Sequence, residues 1–251
     1  MTESLSLVMD IGEQMLICGA EVHRVEDSVE RMCHKLGVKR VDVFIITSSM
    51  VVTMYSEQGE CYTQTRRILG SGTNMEKLHR LNQLSRDICQ KGMTTEEIRE
   101  KFEEVQKTKG YPFWLTCCSY ALIAASFTLF FGGNIGDALI AAFIGICISF
   151  VVLLEGKVGF NRIFEKFISS FVVTALAYLF FKIGIIANVD KVIIGNIMVL
   201  IPGIGLTNAL RDLFTGDSIA GLLRSVECIL IALAIGAGYF LFAWIIGGSL
   251  L

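Results

Sequence analysis

The stretch YPFWLTCCSYALIAASFTLFFGGNIG (111–136) runs without a charged side chain, and after Asp137 the run ALIAAFIGICISFVVLL (138–154) does the same. A helix needs ~20 predominantly apolar residues to cross the hydrocarbon core, with ~17–25 as the working range. Three further uncharged runs cover 167–181, 192–210 and 228–251. The run at 167–181 is short, but Ile163 and Phe164 extend it, and Glu165 and Lys166 can snorkel at its boundary. The expected count is about five transmembrane helices over 111–251. Small residues recur at four-residue steps, as in Cys117, Ala121 and Ala125, and again in Ala141, Gly145 and Ser149. Such stripes let helix backbones approach closely in lipid.

Upstream of Tyr111-Pro112 the composition is different. Residues 1–110 carry 15 Lys/Arg and 17 Asp/Glu, whereas residues 111–251 carry seven of each. The mean hydropathy of +0.60 averages over this step. The sequence therefore predicts an N-terminal cytoplasmic α+β domain (1–110) followed by a transmembrane helical domain (111–251): an α-helical polytopic membrane protein. The start, MTESLSLVMDIGEQML, has no basic n-region and is not expected to be a signal peptide. The near-balanced charge gives no reason to expect nucleic acid as a partner. None of the eight cysteines forms a CxxC pair, and all are expected to be reduced and structural.

Within the first domain, Leu7, Ile11 and Met15 predict a short helix over 5–18. Val22, Val25, Val29, Met32 and Leu36 form the buried stripe of a second helix over 20–36, with Gly37 as its C-terminal cap. The β-branched and aromatic runs VDVFIIT (41–47), MVVTMYS (50–56) and CYTQTRRI (61–68) read as strands, with Gln58-Gly59 turning between the last two. Two helices come next, with capping boxes expected at Thr73–Glu76 and Thr94–Glu97.

Basic residues orient the chain. Lys101, Lys107 and Lys109 precede the first span; Lys157, Arg162 and Lys166 lie between the second and third; Arg211 and Arg224 lie between the fourth and fifth. The other side offers Lys182 and Lys191. The positive-inside rule then places the N-terminus in the cytoplasm and the C-terminus outside.

The segment IIGNIMVLIPGIGLTNALRDLFTGDSIAGLLRSVE (193–227) concentrates the polar chemistry. Pro202 removes a backbone donor within a span, and Gly203 loosens the next turn. Freed backbone groups at membrane depth must face protein or a water-filled cavity, and transporters bind substrates at such breaks. A simple proline kink is the plainer reading. Asn196, Asn208, Arg211, Asp212, Asp217 and Arg224 surround the break. Arginine can hold a carboxylate bidentately, and an aspartate can pair with an ammonium or carry a coupling proton. The plainer reading of Arg211, Asp212 and Asp217 is a solvated turn between spans. Asp137 opens the second span, where a carboxylate is an ordinary helix-dipole partner. A coupling or gating role is the sharper alternative for it, as for Glu227 at the start of the last span. In the first domain His23, Asp27, Glu30 and His34 share one helix face and offer metal-ligand chemistry. That face borders the apolar stripe, where solvated polar residues belong, so no tightly held metal is expected. No phosphate loop, dinucleotide fingerprint or nucleophilic triad stands out, and no cofactor or catalytic residue is expected.

GAEVHRVEDSVERM (19–32), the β-rich stretch after it and TNMEKLHRLNQLSRDI (73–88) together resemble the threonine/serine exporter family, as does IPGIGLTNALRDLFTGDSIAGLLRSVE (201–227). The resemblance covers nearly the whole chain. Family members have a cytoplasmic domain and then ten membrane helices, or split these between two proteins. With about five spans, this chain resembles the larger subunit of a split exporter, and a related split system is associated with succinate export. Glu21, Arg24 and Glu26 match the family's soluble motif. Pro202, Gly203, Asn208, Arg211, Asp212, Gly216, Asp217, Gly221 and Arg224 match its membrane motif. The resemblance implies a secondary exporter of small polar metabolites, threonine/serine-type amino acids or dicarboxylates, in the bacterial plasma membrane. It also implies a small second membrane subunit as partner, and a homo-oligomer is the other possible assembly. The competing reading is a membrane-anchored enzyme or sensor working through the N-terminal domain around Glu21, His23 and Arg24.

Overall fold

A computed structural model describes residues 2–56, 59–70, 72–108 and 110–247. Ten helices and three strands are arranged in the order α1 (Thr2–Ile17), α2 (Val22–Lys35), β1 (Arg40–Ile46), β2 (Ser49–Tyr55), β3 (Cys61–Arg67), α3 (Met75–Lys91), α4 (Thr95–Gln106), α5 (Phe113–Phe130), α6 (Ile135–Val158), α7 (Arg162–Lys182), α8 (Val189–Leu200), α9 (Gly203–Thr215) and α10 (Ser218–Ile245). The chain forms two compact units. One comprises Met1–Gly110 with Ile204–Val226; the other comprises Tyr111–Gly203 with Glu227–Leu251.

In the first unit the expected apolar stripes build the core. Val22, Val25, Val29 and Met32 of α2 are fully buried, as are Leu5, Met9, Ile11 and Met15 of α1. The antiparallel sheet β1-β2-β3 lays Met50, Val52 and Met54 of its central strand on these helices. The alternation of apolar and polar side chains along β2 gives the sheet one packed face. Ala220 of α10 joins the same core. The Thr94–Glu97 capping box forms. The other cap falls one residue later than expected: Asn74, rather than Thr73, accepts the Lys77 amide. The reason lies upstream, where Gly72 and Asn74 donate to the carbonyls of Ile17 and Cys18 and so hold this segment outside the helix. Gln58 of the expected hairpin turn, and Lys109, lie outside the described residues. All eight cysteines are free, and burial pushes the Cys33 thiol up to about 12.

Among the described residues α5, α6, α7 and α10 are each long and apolar enough to cross a membrane. The count rises to five if α8 and α9, interrupted at Ile201-Pro202, form one broken span. Large apolar side chains such as Leu122, Phe130, Leu139 and Trp244 point outward, as lipid-facing residues do. The last helix starts at Ser218 rather than near 228. Asp217 at its head closes the first turn by accepting the Gly221 amide, so Arg224 and Glu227 lie within the helix.

The Ala141, Gly145, Ser149 stripe of α6 is buried, with Ser149 bonded to Cys117 of α5. A Cβ on Gly145 would stand 2.8 Å from the Tyr120 carbonyl oxygen, and one on Gly195 would stand 2.2 Å from Thr128 Oγ1 and 2.8 Å from the Ala124 carbonyl. Backbone cannot yield as a side-chain tip can. Gly195→Ala is therefore expected to cost about 1–3 kcal/mol through overpacking. Gly236→Ala, with nothing within 4 Å, serves as control. Thermal unfolding in detergent measures both: Gly195→Ala should melt well below Gly236→Ala, and equal melting would remove the close-packing account.

Candidate functional site

The turn between α1 and α2 starts the site. Gly19 takes φ +95°, a left-handed conformation that costs a glycine little. A Cβ there would also meet the Gly72 carbonyl at 2.9 Å. The turn leaves two carbonyls free of helix bonding, and both accept from the membrane motif. Asn208 Nδ2 donates to the Gly19 oxygen at 3.1 Å, and Arg224 Nη2 donates to the Ala20 oxygen at 3.3 Å.

Glu21 is next, the N-cap of α2, yet its side chain caps nothing. Instead it accepts from Arg211 Nη1 at 2.5 Å. Asp212, fully buried, lies within electrostatic reach of the Val22 amide at the first turn of α2. A carboxylate at this position meets the positive end of the helix dipole. Arg224 Nη1 holds the same carboxylate at 3.2 Å, while Asp212 Oδ1 has no hydrogen-bond partner. Arg211 and Asp212 thus lie in a helix bonded to α2, and the solvated-turn reading does not describe Asp212.

Asp217 comes after Gly216, whose φ of +104° turns α9 into α10. Its Oδ2 is buried without a hydrogen bond and lies 3.6 Å from His23 Nδ1. Glu26, half-buried nearby, accepts the Ile45 amide at 2.9 Å. Burial, and then the neighbouring Asp217 and Asp212 charges, push the Glu26 carboxyl above the usual carboxylate range against the pull of that amide. An acid whose pKa rises on folding favours the folded state in its protonated form. That contribution is full below the ordinary glutamate range and is lost as pH rises through the raised value. Among the described residues His23, Glu26 and Asp217 bring three potential metal-ligand atoms within 4.8 Å of one another. The stripe singled out in the sequence behaves differently. Asp27 pairs with Arg31, and Glu30 lies 3.7 Å from His34.

The two motifs therefore share one cluster. Glu21, Arg24, Asn208 and Ile204 line a cleft with Gly19 and Asn82, and Glu26 and Asp217 line another with Gly216 and Ser218. The remaining candidates belong to the second unit. Asn196 is buried, and its amide bonds back to the Val192 carbonyl of its own helix. Pro202 stands in the break before Gly203, the first residue of α9. Glu227 is paired with Arg162 at 3.4 Å.

Asp137 does more than offset a dipole. It caps α6 in a capping box with Asn134, and it accepts from the Ala187 and Asn188 amides and from Asn188 Nδ2. Glu155 is a functional candidate that the sequence does not single out. It stands at the end of the uncharged run 138–154 and reads as a boundary charge, but it is buried, with one oxygen accepting from Ser169 and the other bare. The one available signal is an acid inside a helix that continues to Val158.

The family model described as "Putative threonine/serine exporter" matches residues 6–246 of this chain. The chain is 24% identical over 233 residues to "Probable succinate transporter subunit YjjP" of Escherichia coli (strain K12), covering 92% of this chain and 90% of that one. It is 25% identical over 242 residues to the "Threonine/serine exporter" of Corynebacterium glutamicum, covering 93% of this chain and 49% of the exporter. It is 22% identical over 258 residues to "Pheromone-regulated membrane protein 10" of Kluyveromyces lactis, covering 95% of this chain and 26% of that protein. No solved structure matches the chain.

Proposed function

The chain belongs to the threonine/serine exporter family, and on that footing we propose that it is one subunit of a secondary exporter of small polar metabolites in a bacterial plasma membrane. The substrates are threonine/serine-type amino acids or dicarboxylates such as succinate, the chemistry named by its relatives. The family match favours transport over a membrane-anchored enzyme or sensor. A small second membrane subunit supplies the rest of the assembly. One fact supports this: a relative is itself named as a transporter subunit.

One observation carries the site reading: the cluster that joins the α1–α2 turn to α9 and the start of α10. Arg211 and Arg224 offer guanidinium groups to a substrate carboxylate; Asp212 and Asp217 offer carboxylates to an ammonium or a proton. Asn208 and the Glu21–Arg24 cleft complete the polar lining, and a proton gradient drives export. Because residues 1–110 and 204–226 form one compact unit, the α9–α10 turn and the N-terminal domain are read on the same, cytoplasmic, side. The basic residues agree, with Lys157, Arg162 and Lys166 inside. Cysteine labelling of intact cells tests the orientation. A cysteine introduced in place of Ile246 should react with an impermeant thiol reagent from outside, and labelling only after lysis would reverse the topology.

Efflux of labelled serine, threonine and succinate from vesicles tests the function, with and without the neighbouring small subunit. Export of at least one should appear only when both subunits are present. Full export by the purified chain alone would remove the two-subunit reading.

A further inference from the structure

Among the described residues of the second unit, Glu155 on α6 is the ionisable side chain that is buried with one oxygen bare. It is 5% exposed. Its Oε2 accepts from the Ser169 hydroxyl of α7 at 3.2 Å; its Oε1 is buried and has no hydrogen-bond partner. The charged groups that bear on it are Glu165 and Lys166 of α7, and these are committed to one another by a 2.7 Å ion pair. Tyr120 of α5 is the other titratable group within electrostatic reach. Glu155 therefore faces a neutralised pair, a phenol and a single hydroxyl.

A bare carboxylate oxygen out of water is costly unless something occupies it. A proton is the smallest occupant and needs no new space. Ionisable groups inside membrane helices mark ion and proton pathways by default. The position fits. Glu155 lies one turn from the C-terminal end of α6, so a proton reaching it has little farther to travel to the boundary.

We propose that Glu155 is a proton-binding site of this transporter, taking up a proton at Oε1 in one half of the cycle and releasing it in the other. Ser169 positions the carboxyl by donating to Oε2 in both states. Nothing is oxidised or reduced, and one proton enters and leaves per turnover of the site. The inference rests on the transport reading above, but it concerns residues of the membrane-spanning unit alone.

The test is Glu155→Gln in the two-subunit assembly, reconstituted in vesicles and compared with wild type at equal incorporation. Glutamine keeps the acceptor for Ser169 and removes the titration. Two fluxes are read for labelled serine, threonine and succinate: export driven by an imposed pH gradient, and exchange at equilibrium with no gradient. The expected result is at least a tenfold loss of gradient-driven export with exchange retained. Unchanged gradient-driven export would overturn the proposal, as would equal loss of both fluxes, which would make Glu155 a substrate or assembly residue. A second readout does not depend on the substrate. Infrared difference spectra of the purified wild-type assembly between acid and alkaline buffer should contain a protonated-carboxyl band that Glu155→Gln lacks. If wild type moves none of the three substrates, the transport reading fails and the infrared band alone decides: its presence keeps the proton site, and its absence removes it.

Discussion

Arg224→Ala is expected to cost about 3–5 kcal/mol of stability, the usual consequence of removing one partner from a buried ion pair, and to abolish export. Asp212 is fully buried and Arg224 nearly so, with 14% of its side chain exposed. The guanidinium bonds the Asp212 carboxylate with one nitrogen and the Ala20 carbonyl with another. Without it the buried Asp212 carboxylate loses the cation that hydrogen-bonds it and keeps only the favourable field at the start of α2. A buried carboxylate stripped of its cation is worse than no carboxylate. The double variant Asp212→Leu/Arg224→Met should therefore recover most of the stability while export stays absent. Thermal unfolding in detergent, read beside vesicle efflux, separates the two effects. Wild-type melting by Arg224→Ala would mean that the pair is solvated.

Asp137→Ala should be nearly as damaging, for a different reason. The carboxylate is fully buried and accepts from three backbone amides and one side-chain amide, those of Asn134, Ala187 and Asn188. It thereby fastens the start of α6 to the segment leading into α8. A hydrogen bond to a charged group contributes about 1.5–3 kcal/mol, and the Asn134 and Ala187 donors lie on exposed residues that water can reach, so losing this one acceptor should remove on the order of 2–4 kcal/mol. Asp137→Asn keeps the shape but replaces an acceptor oxygen with a donor, and it should fall between. A fall in membrane yield and melting temperature, in that order of severity, is the expected result. Ala and wild type melting together would reduce Asp137 to a surface dipole partner.

The sequence made much of the fold legible because its strongest signals are periodic. The stripe Val22, Val25, Val29, Met32 could face only a core, and an uncharged run as long as 111–136 could cover little but a membrane helix. The cap at Asn74 was missed by one residue because the carbonyls of Ile17 and Cys18 decide it, and those contacts are distant in sequence. The site was legible as two motifs and illegible as one. Spacing placed Arg211, Asp212, Asp217 and Arg224 near a break, but it could not show that their partners are Glu21, His23 and the carbonyls of Gly19 and Ala20, some 190 residues earlier. Glu155 and the fourfold role of Asp137 were hidden for the same reason. A burial that depends on neighbouring helices leaves little trace in the local pattern.

Asp217 gives the sharpest test of the proposed site, because its Oδ2 is buried yet holds no hydrogen bond. Its substitution breaks no hydrogen bond, unlike that of Arg224, and takes away only the charge facing the His23 ring 3.6 Å away. Losing a charged contact to substrate typically costs ~2–5 kcal/mol, which corresponds to a loss of roughly thirtyfold or more in apparent affinity at the lower end. The deciding measurement is therefore efflux of labelled serine, threonine and succinate from vesicles holding both subunits, with wild type and Asp217→Asn at matched amounts and matched melting temperatures. Export by wild type and its loss in Asp217→Asn is the predicted result. Wild-type export by Asp217→Asn would contradict the placement of substrate at this cluster.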